Sequence, residues 1–295
     1  MYFKPPACPN KDCGARDGKW YSKKGYFKTK HNHQPVPKYR CNSCGKYFSS
    51  HTFRASKYQK RPELNQQIFN LYASGTTQRR LSEILGCNRK TVATKIRFLA
   101  NIARRYHEKM LESGKLKTTF AQIDEIETFE HTKYRPLSVA LAVRVKTGEI
   151  IDAQVATFAS RLGTRLPLKY KDEYREDTRK AAIEDCVISV KKASGDTLRI
   201  ESDETKWYFS AIKEFLPEAN YARVEKKIPE IIPREIRLKM KKPLFTINYV
   251  CAKLRNDLSR MSRKTWVTTK RAWALQAHLD IYIAWNNKYP ILKSA

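Results

Sequence analysis

The sequence predicts a multidomain chain in which a small cysteine-bound module and an all-α helix-turn-helix precede a larger α/β domain. Three observations carry this. Four cysteines fall in two close pairs, Cys8/Cys13 and Cys41/Cys44. A helical period beginning at Leu64 breaks at Ser74-Gly75 and again at Gly86. From residue 120 onward, β-like apolar runs alternate with helix-prone stretches. The boundaries drawn from these breaks are 1–55, 60–111 and 117–295.

Composition narrows the function classes. The chain has 295 residues, of which 41% are hydrophobic, enough for a proper core, and a formal net charge of +30. Residues 1–117 carry 26 Lys and Arg against 6 Asp and Glu, and the remainder 33 against 23, so the charge is concentrated at the front. A polyanionic partner follows, because each phosphate neutralised releases condensed counterions without any base being read. An anionic membrane surface is the rival, but the sequence has no long amphipathic basic helix. No run reaches the roughly 18 apolar residues of a membrane span, and the start MYFKPPACPN does not read as a signal peptide. The expectation is a prokaryotic protein of the cytoplasm, associated with the nucleoid. Seven cysteines, four of them tightly paired, fit zinc in a reducing compartment better than a disulfide framework.

The first module takes its order from those pairs. Cys8, Cys13, Cys41 and Cys44 on short turns would set four thiolates around one Zn2+, with the residues between them forming a hairpin: a zinc ribbon. His31 or His33 is the alternative fourth ligand. Phe48 and Phe53, just beyond the second pair, are expected to pack on the ribbon.

Leu64, Ile68 and Leu71 then recur at helical spacing. Thr76-Thr77 caps a second helix, Gly86 turns the chain, and Val92, Ile96 and Leu99 mark the inward face of a third, which together make a helix-turn-helix. Arg89, Lys90, Thr91, Thr94 and Lys95 fall at the start or on the outer face of that last helix, where a recognition helix meets the major groove. The pattern runs on to Leu111, and Glu112-Ser113-Gly114-Lys115 reads as a linker.

The α/β domain opens with Phe120–Phe129, FAQIDEIETF, which sets Asp124, Glu125 and Glu127 into a basic chain and so marks a metal site. Its spacing of Phe120, Ile123, Ile126 and Phe129 suits a helix. The preceding Thr118-Thr119, the β-branched content and the run that follows favour a strand, and a strand is the reading taken. The runs 137–145 and 150–158 flank a Gly148 turn, giving an antiparallel meander of three strands. A helix-prone stretch, 174–192, leads to a fourth strand that ends at Asp203, the edge where α/β sheets build their sites. Residues 226–242 read as a basic loop or strand pair, and 244–287 as helical.

This order of modules, with Asp at the end of a first strand and of a fourth, resembles the transposases of bacterial insertion sequences, the insertion sequence one family above all. Ile123-Asp124-Glu125, Ser202-Asp203 and the stretch from Asn248 to Thr265 carry the resemblance, and His278 sits where that family tends to have a His. It implies an RNase H-like (DDE-type) catalytic domain in which Asp124 and Asp203 hold Mg2+ or Mn2+ for attack on a phosphodiester. Where the family's pattern puts a third carboxylate, this chain has Asn248. Three alternatives stay open: two Asp with Asn248, completion by Glu204, Glu225, Glu230 or Glu235, or impaired catalysis. The implied function is a metal-dependent DNA transposase that binds double-stranded terminal inverted repeats and target DNA as a homo-oligomer. The competing expectation is a transposase-derived, non-catalytic DNA-binding regulator.

Overall fold

Short strands with one apolar edge and a long amphipathic helix organise the chain differently in its two halves. The computed structural model describes residues 3–28, 35–57, 59–224, 244–262 and 265–292. It divides into two compact units, Met1–Gln67 with Pro290–Ala295, and Ile68–Tyr289. His31, His33 and the basic stretch 226–242 lie outside the described residues.

In the first unit, β1 (Tyr21–Phe27), β2 (Val36–Cys41) and β3 (Tyr47–Phe48) form an antiparallel sheet in that order. One row across it pairs Ser22 with Arg40 and Arg40 with Tyr47. A bulge between Lys23 and Tyr26 shifts the outer half of β1. The core is a small aromatic cluster of Trp20, Tyr39 and Phe48 with Cys8 and Cys41, and Phe53 packs at its margin as expected.

The second unit begins within α1 (Leu64–Ala73) and continues through α2 (Gln78–Ile84) and α3 (Arg89–Glu112). Thr77 and Asn88 cap α2 and α3 by accepting from the Arg80 and Lys90 amides, which satisfies otherwise orphaned donors. Val92, Ile96 and Leu99 are buried as their spacing requires. The helical hairpin is therefore present, and α3 continues unbroken for 24 residues.

A five-stranded mixed sheet follows, formed by β4 (Thr118–Phe129), β5 (Pro136–Arg144), β6 (Ile150–Thr157), β7 (Ser194–Ser202) and β8 (Asn220–Arg223), ordered β6-β5-β4-β7-β8. β4, β5 and β6 make the antiparallel meander, while β7 pairs with β4, and β8 with β7, in parallel. FAQIDEIETF is a strand despite its three-residue apolar spacing, because as the central strand it has both edges paired and most positions covered. The helices α4 (Leu168–Lys171), α5 (Arg179–Lys192) and α6 (Lys206–Phe215) intervene in the chain.

The stretch 244–287, expected to be helical, holds two α-helices, α7 (Phe245–Asp257) and α8 (Ala272–Asn286). Leu258 leaves helical geometry (φ −112°, ψ 100°), and both it and Met261 are fully buried, which ends α7 before the Asn248–Thr265 stretch is spanned.

Buried polar contacts tie α3 to the sheet and to α8. Arg104 reaches Asp152 on β6 at 3.3 Å and Asp280 on α8 at 3.5 Å, and Asp152 also accepts from Ser189 on α5 at 2.6 Å. His107 bridges the Ile151 carbonyl at 2.7 Å and the Tyr289 hydroxyl at 3.1 Å. Burial raises the Asp280 carboxyl to about 6, against the pull of Gln276 and Arg104. Among the described residues, no helix is long and apolar enough to cross a membrane.

Candidate functional site

The thiols of Cys8, Cys13, Cys41 and Cys44 converge, with all four Sγ atoms within 4.8 Å of one another. Cys8 and Cys44 are 3.6 Å apart and Cys13 and Cys41 3.9 Å. A tetrahedral ion with Zn–S bonds of about 2.3 Å would space its sulfurs at about 3.8 Å, so the quartet fits a metal such as zinc. The wider first pair is accommodated by a turn in which the Cys13 amide donates to Asn10, while the Gly45 amide donates to the Cys41 carbonyl. Burial pushes the Cys8 thiol up to about 12, whereas the amides of Cys44 and Ser43 draw Cys41 down to about 7. Zinc would hold both as thiolates, so loading would release protons. Cys186 and Cys251 are buried and Cys87 is half-buried.

On the sheet, register decides where the acids stand. β4 and β7 pair Phe120 with Arg199, Gln122 with Glu201 and Ile123 with Ser202. The side chains agree: Arg199 lies 4.9 Å from the Phe120 ring centroid, and the Gln122 amide donates to Glu201 at 2.9 Å. Asp124 and Asp203 are the next residues along each strand. Because side chains alternate along a strand, Asp124 follows Gln122 on one face of β4, and Asp203 is the first residue past the end of β7, the neighbouring strand about 4.8 Å away.

Asp124 is only 5% exposed, and its Oδ1 accepts from the Glu125 amide at 2.8 Å. Asp203 is half-buried just beyond β7, and its Oδ1 accepts from the Thr205 amide at 3.1 Å, which fixes the turn into α6. On that same face the Ile247 amide of α7 donates to Gln122 at 3.1 Å. The helix that carries Asn248 therefore passes over the strand that carries Asp124. Asn248 itself is on the exposed side of α7.

Glu125 points the other way, toward Ser138, whose hydroxyl donates to it at 2.5 Å. Burial raises its carboxyl, opposed by Ser138 and the Arg179 charge and reinforced by Asp203 and Asp124. Tyr208 of α6 is fully buried, and its hydroxyl has no hydrogen-bond partner among the described residues. Burial raises that phenol far above its ordinary value, and the charges of Glu125, Asp124 and Asp203 add to the shift. Sequence reasoning missed Tyr208, since one aromatic in an amphipathic helix reads as core. Glu127 meets Arg161 at 3.1 Å near the surface. Glu204 is exposed, and Glu225, Glu230 and Glu235 lie outside the described residues. Among those residues, the cysteine quartet is the only group of three or more His, Cys, Asp or Glu with ligand atoms this close together.

The start of α3 presents Arg89, Lys90 and Thr94 to solvent, with Thr91 half-buried. Lys95 departs from its expected outer position: it is 4% exposed. At 100° per residue, position 95 falls beside Val92 and Leu99 on the inward face. His278 is likewise remote from the acids in its contacts, bonding instead to the backbone of Tyr72. No protein-family model matches the chain, and no curated protein matches it.

Proposed function

We propose that the chain is a metal-dependent DNA strand transferase of the insertion-sequence type, with an RNase H-like catalytic domain that uses Asp124 and Asp203. The observation that supports this is the β4–β7 register, whose last pair, Ile123 with Ser202, immediately precedes Asp124 and Asp203. The donor types suit a hard cation: two carboxylates, with Asn248, on the exposed side of the helix that crosses the same strand, as the candidate third oxygen. Bound Mg2+ or Mn2+ supplies Lewis acidity toward a phosphate oxygen and lowers the pKa of a coordinated water. Asp124, whose Oδ1 accepts from the Glu125 amide, and Asp203, whose Oδ1 accepts from the Thr205 amide, are the residues that would hold the ion. Asn248 would contribute an oxygen but no charge, so the site would carry less negative charge than a three-acid one. Arg89, Lys90, Thr91 and Thr94 are the residues assigned to duplex recognition, and the cationic first 117 residues to phosphate attraction.

The neutral Asn248 favours a second reading, a DNA-binding regulator descended from such an enzyme. Both are tested by incubating the protein with duplexes that carry the sequences flanking its coding region, with Mg2+ or Mn2+. The transferase reading expects metal-dependent cleavage or joining that Asp124→Asn and Asp203→Asn abolish without weakening binding. Binding without any metal-dependent strand chemistry would leave the regulator.

A further inference from the structure

We propose that the outer face of the ribbon sheet, centred on Tyr47 with Lys38 and Arg40, binds single-stranded DNA by stacking an unpaired base on the Tyr47 ring. The ribbon's aromatics divide sharply. Trp20, Tyr39 and Phe48 make the core, with Trp20 stacked on Phe48 at 5.3 Å and Tyr39 on Phe48 at 5.7 Å. Tyr47, the neighbour of buried Phe48 on a two-residue strand, turns outward and is 51% exposed. It adds nothing to that core.

What surrounds Tyr47 is cationic. The Lys38 ammonium lies 4.3 Å from its ring centroid and the Arg40 guanidinium carbon 5.8 Å. Arg40 is its cross-strand partner in the row Ser22, Arg40, Tyr47. Gly45 keeps room for that guanidinium: a Cβ there would stand 3.3 Å from Arg40 Nη2. A second pair lies on β1, where the Lys23 ammonium sits 4.2 Å from the Tyr26 ring centroid and Tyr26 is 58% exposed.

Charge alone accounts for attraction to phosphate, since residues 1–57 carry thirteen Lys and Arg against two Asp. It does not account for an exposed ring on a rigid strand. A ring face next to two cations matches one nucleotide, with the base on the ring and its phosphate on the ammonium or guanidinium that now covers it. In a duplex the base faces are already stacked, so only an unpaired segment can use this site. Stacking chemistry fits any single-stranded polynucleotide; the choice of DNA rests on the strand-transfer reading, in which cut and displaced strands occur.

The test is fluorescence anisotropy of the zinc-loaded full-length chain with a short labelled single strand, the same strand with abasic sites, and the matching duplex. Tyr47→Ala is expected to weaken single-strand binding about 5- to 150-fold, the range of one stacked base, and to leave the duplex unchanged within about twofold. Tyr47→Phe keeps the ring and is expected to bind like the wild type, and the abasic strand is expected to bind the wild type as weakly as the intact strand binds Tyr47→Ala. Equal loss on duplex and single strand, loss in Tyr47→Phe, or undiminished binding of the abasic strand would each overturn the proposal. Failure here with metal-dependent cleavage intact would spare the transferase reading. Stacking that survives in a protein without strand chemistry would sink that reading alone.

Discussion

Replacing His278 by Gln should flatten the acid side of the stability curve. The imidazole is buried, stacked on Tyr72 with centroids 3.9 Å apart, and its Nε2 donates to the Tyr72 carbonyl at 2.7 Å. Since a carbonyl only accepts, the neutral tautomer carries its proton on Nε2. Nδ1 has no partner among the described residues, so a second proton would place an uncompensated cation in the core. Burial, with Arg260 adding repulsion, holds the group near 3, against an ordinary value of 6.5. The folded pKa is depressed, so the unfolded chain takes up the proton first, and stability is lost as pH falls through the ordinary value. From about pH 7.5 to about pH 5 this one group removes about 2 kcal/mol. Gln can still donate to the Tyr72 carbonyl but does not titrate. Urea unfolding at the two pH values should show the wild type losing about 2 kcal/mol more than the variant. Other titrating groups are common to both proteins and cancel. Equal losses would refute the assignment of a buried neutral imidazole.

Two further outcomes are expected. Gly75 has φ +81°, and a Cβ there would stand 2.2 Å from the Asp257 carbonyl oxygen, whereas Gly86 (φ +54°) has open space. Gly75→Ala should therefore cost more than about 3 kcal/mol and Gly86→Ala only about 1–2 kcal/mol, and equal costs in urea unfolding would dismiss the contact. Chelation of zinc, or Cys41→Ala, should open the ribbon, because its core is a handful of rings and metal-binding energy in so small a module is largely folding energy. Limited trypsin digestion mapped by mass spectrometry should then gain cuts after Lys23 and Arg40, and their absence from the metal-free protein would count against the metal's structural role.

Local chemistry was legible in the sequence where it is repeated or periodic. The cysteine pairs, the helices before and after Gly86, and the three-strand meander each follow from spacing, and all four cysteines meet. The resemblance put an Asp at the end of the first and of the fourth strand of the domain, and those two strands, β4 and β7, pair in parallel. What stayed hidden depends on partners far apart in the chain. Lys95 looked exposed because its charge outweighed its helical phase. His278 sits where the resembled family tends to have a His, and its partner, the carbonyl of Tyr72, lies 206 residues away in the chain. The helix ends after Asp257, where Leu258 takes an extended backbone and is buried, and no Gly or Pro there gives a warning. Tyr208 was invisible for the same reason: an unpartnered hydroxyl is a property of its surroundings.

On the proposed DNA-binding reading, the unbroken run of α3 restricts how this chain could be given a new DNA address. At about 1.5 Å per residue its 24 residues form a rod of about 36 Å. Its first turn carries Arg89 and Lys90, while Arg104 and His107, four turns on, are built into the sheet and α8. A recognition helix grafted from another protein would inherit those anchors only if its phase matched to the residue. One inserted position would swing Arg104 by 100° away from Asp152 and turn Arg89 relative to the sheet by the same angle. Retargeting therefore favours point changes at Arg89, Lys90, Thr91 and Thr94 over exchange of the helical pair, and a chimera would need its joint before Val92 with the helix behind it untouched.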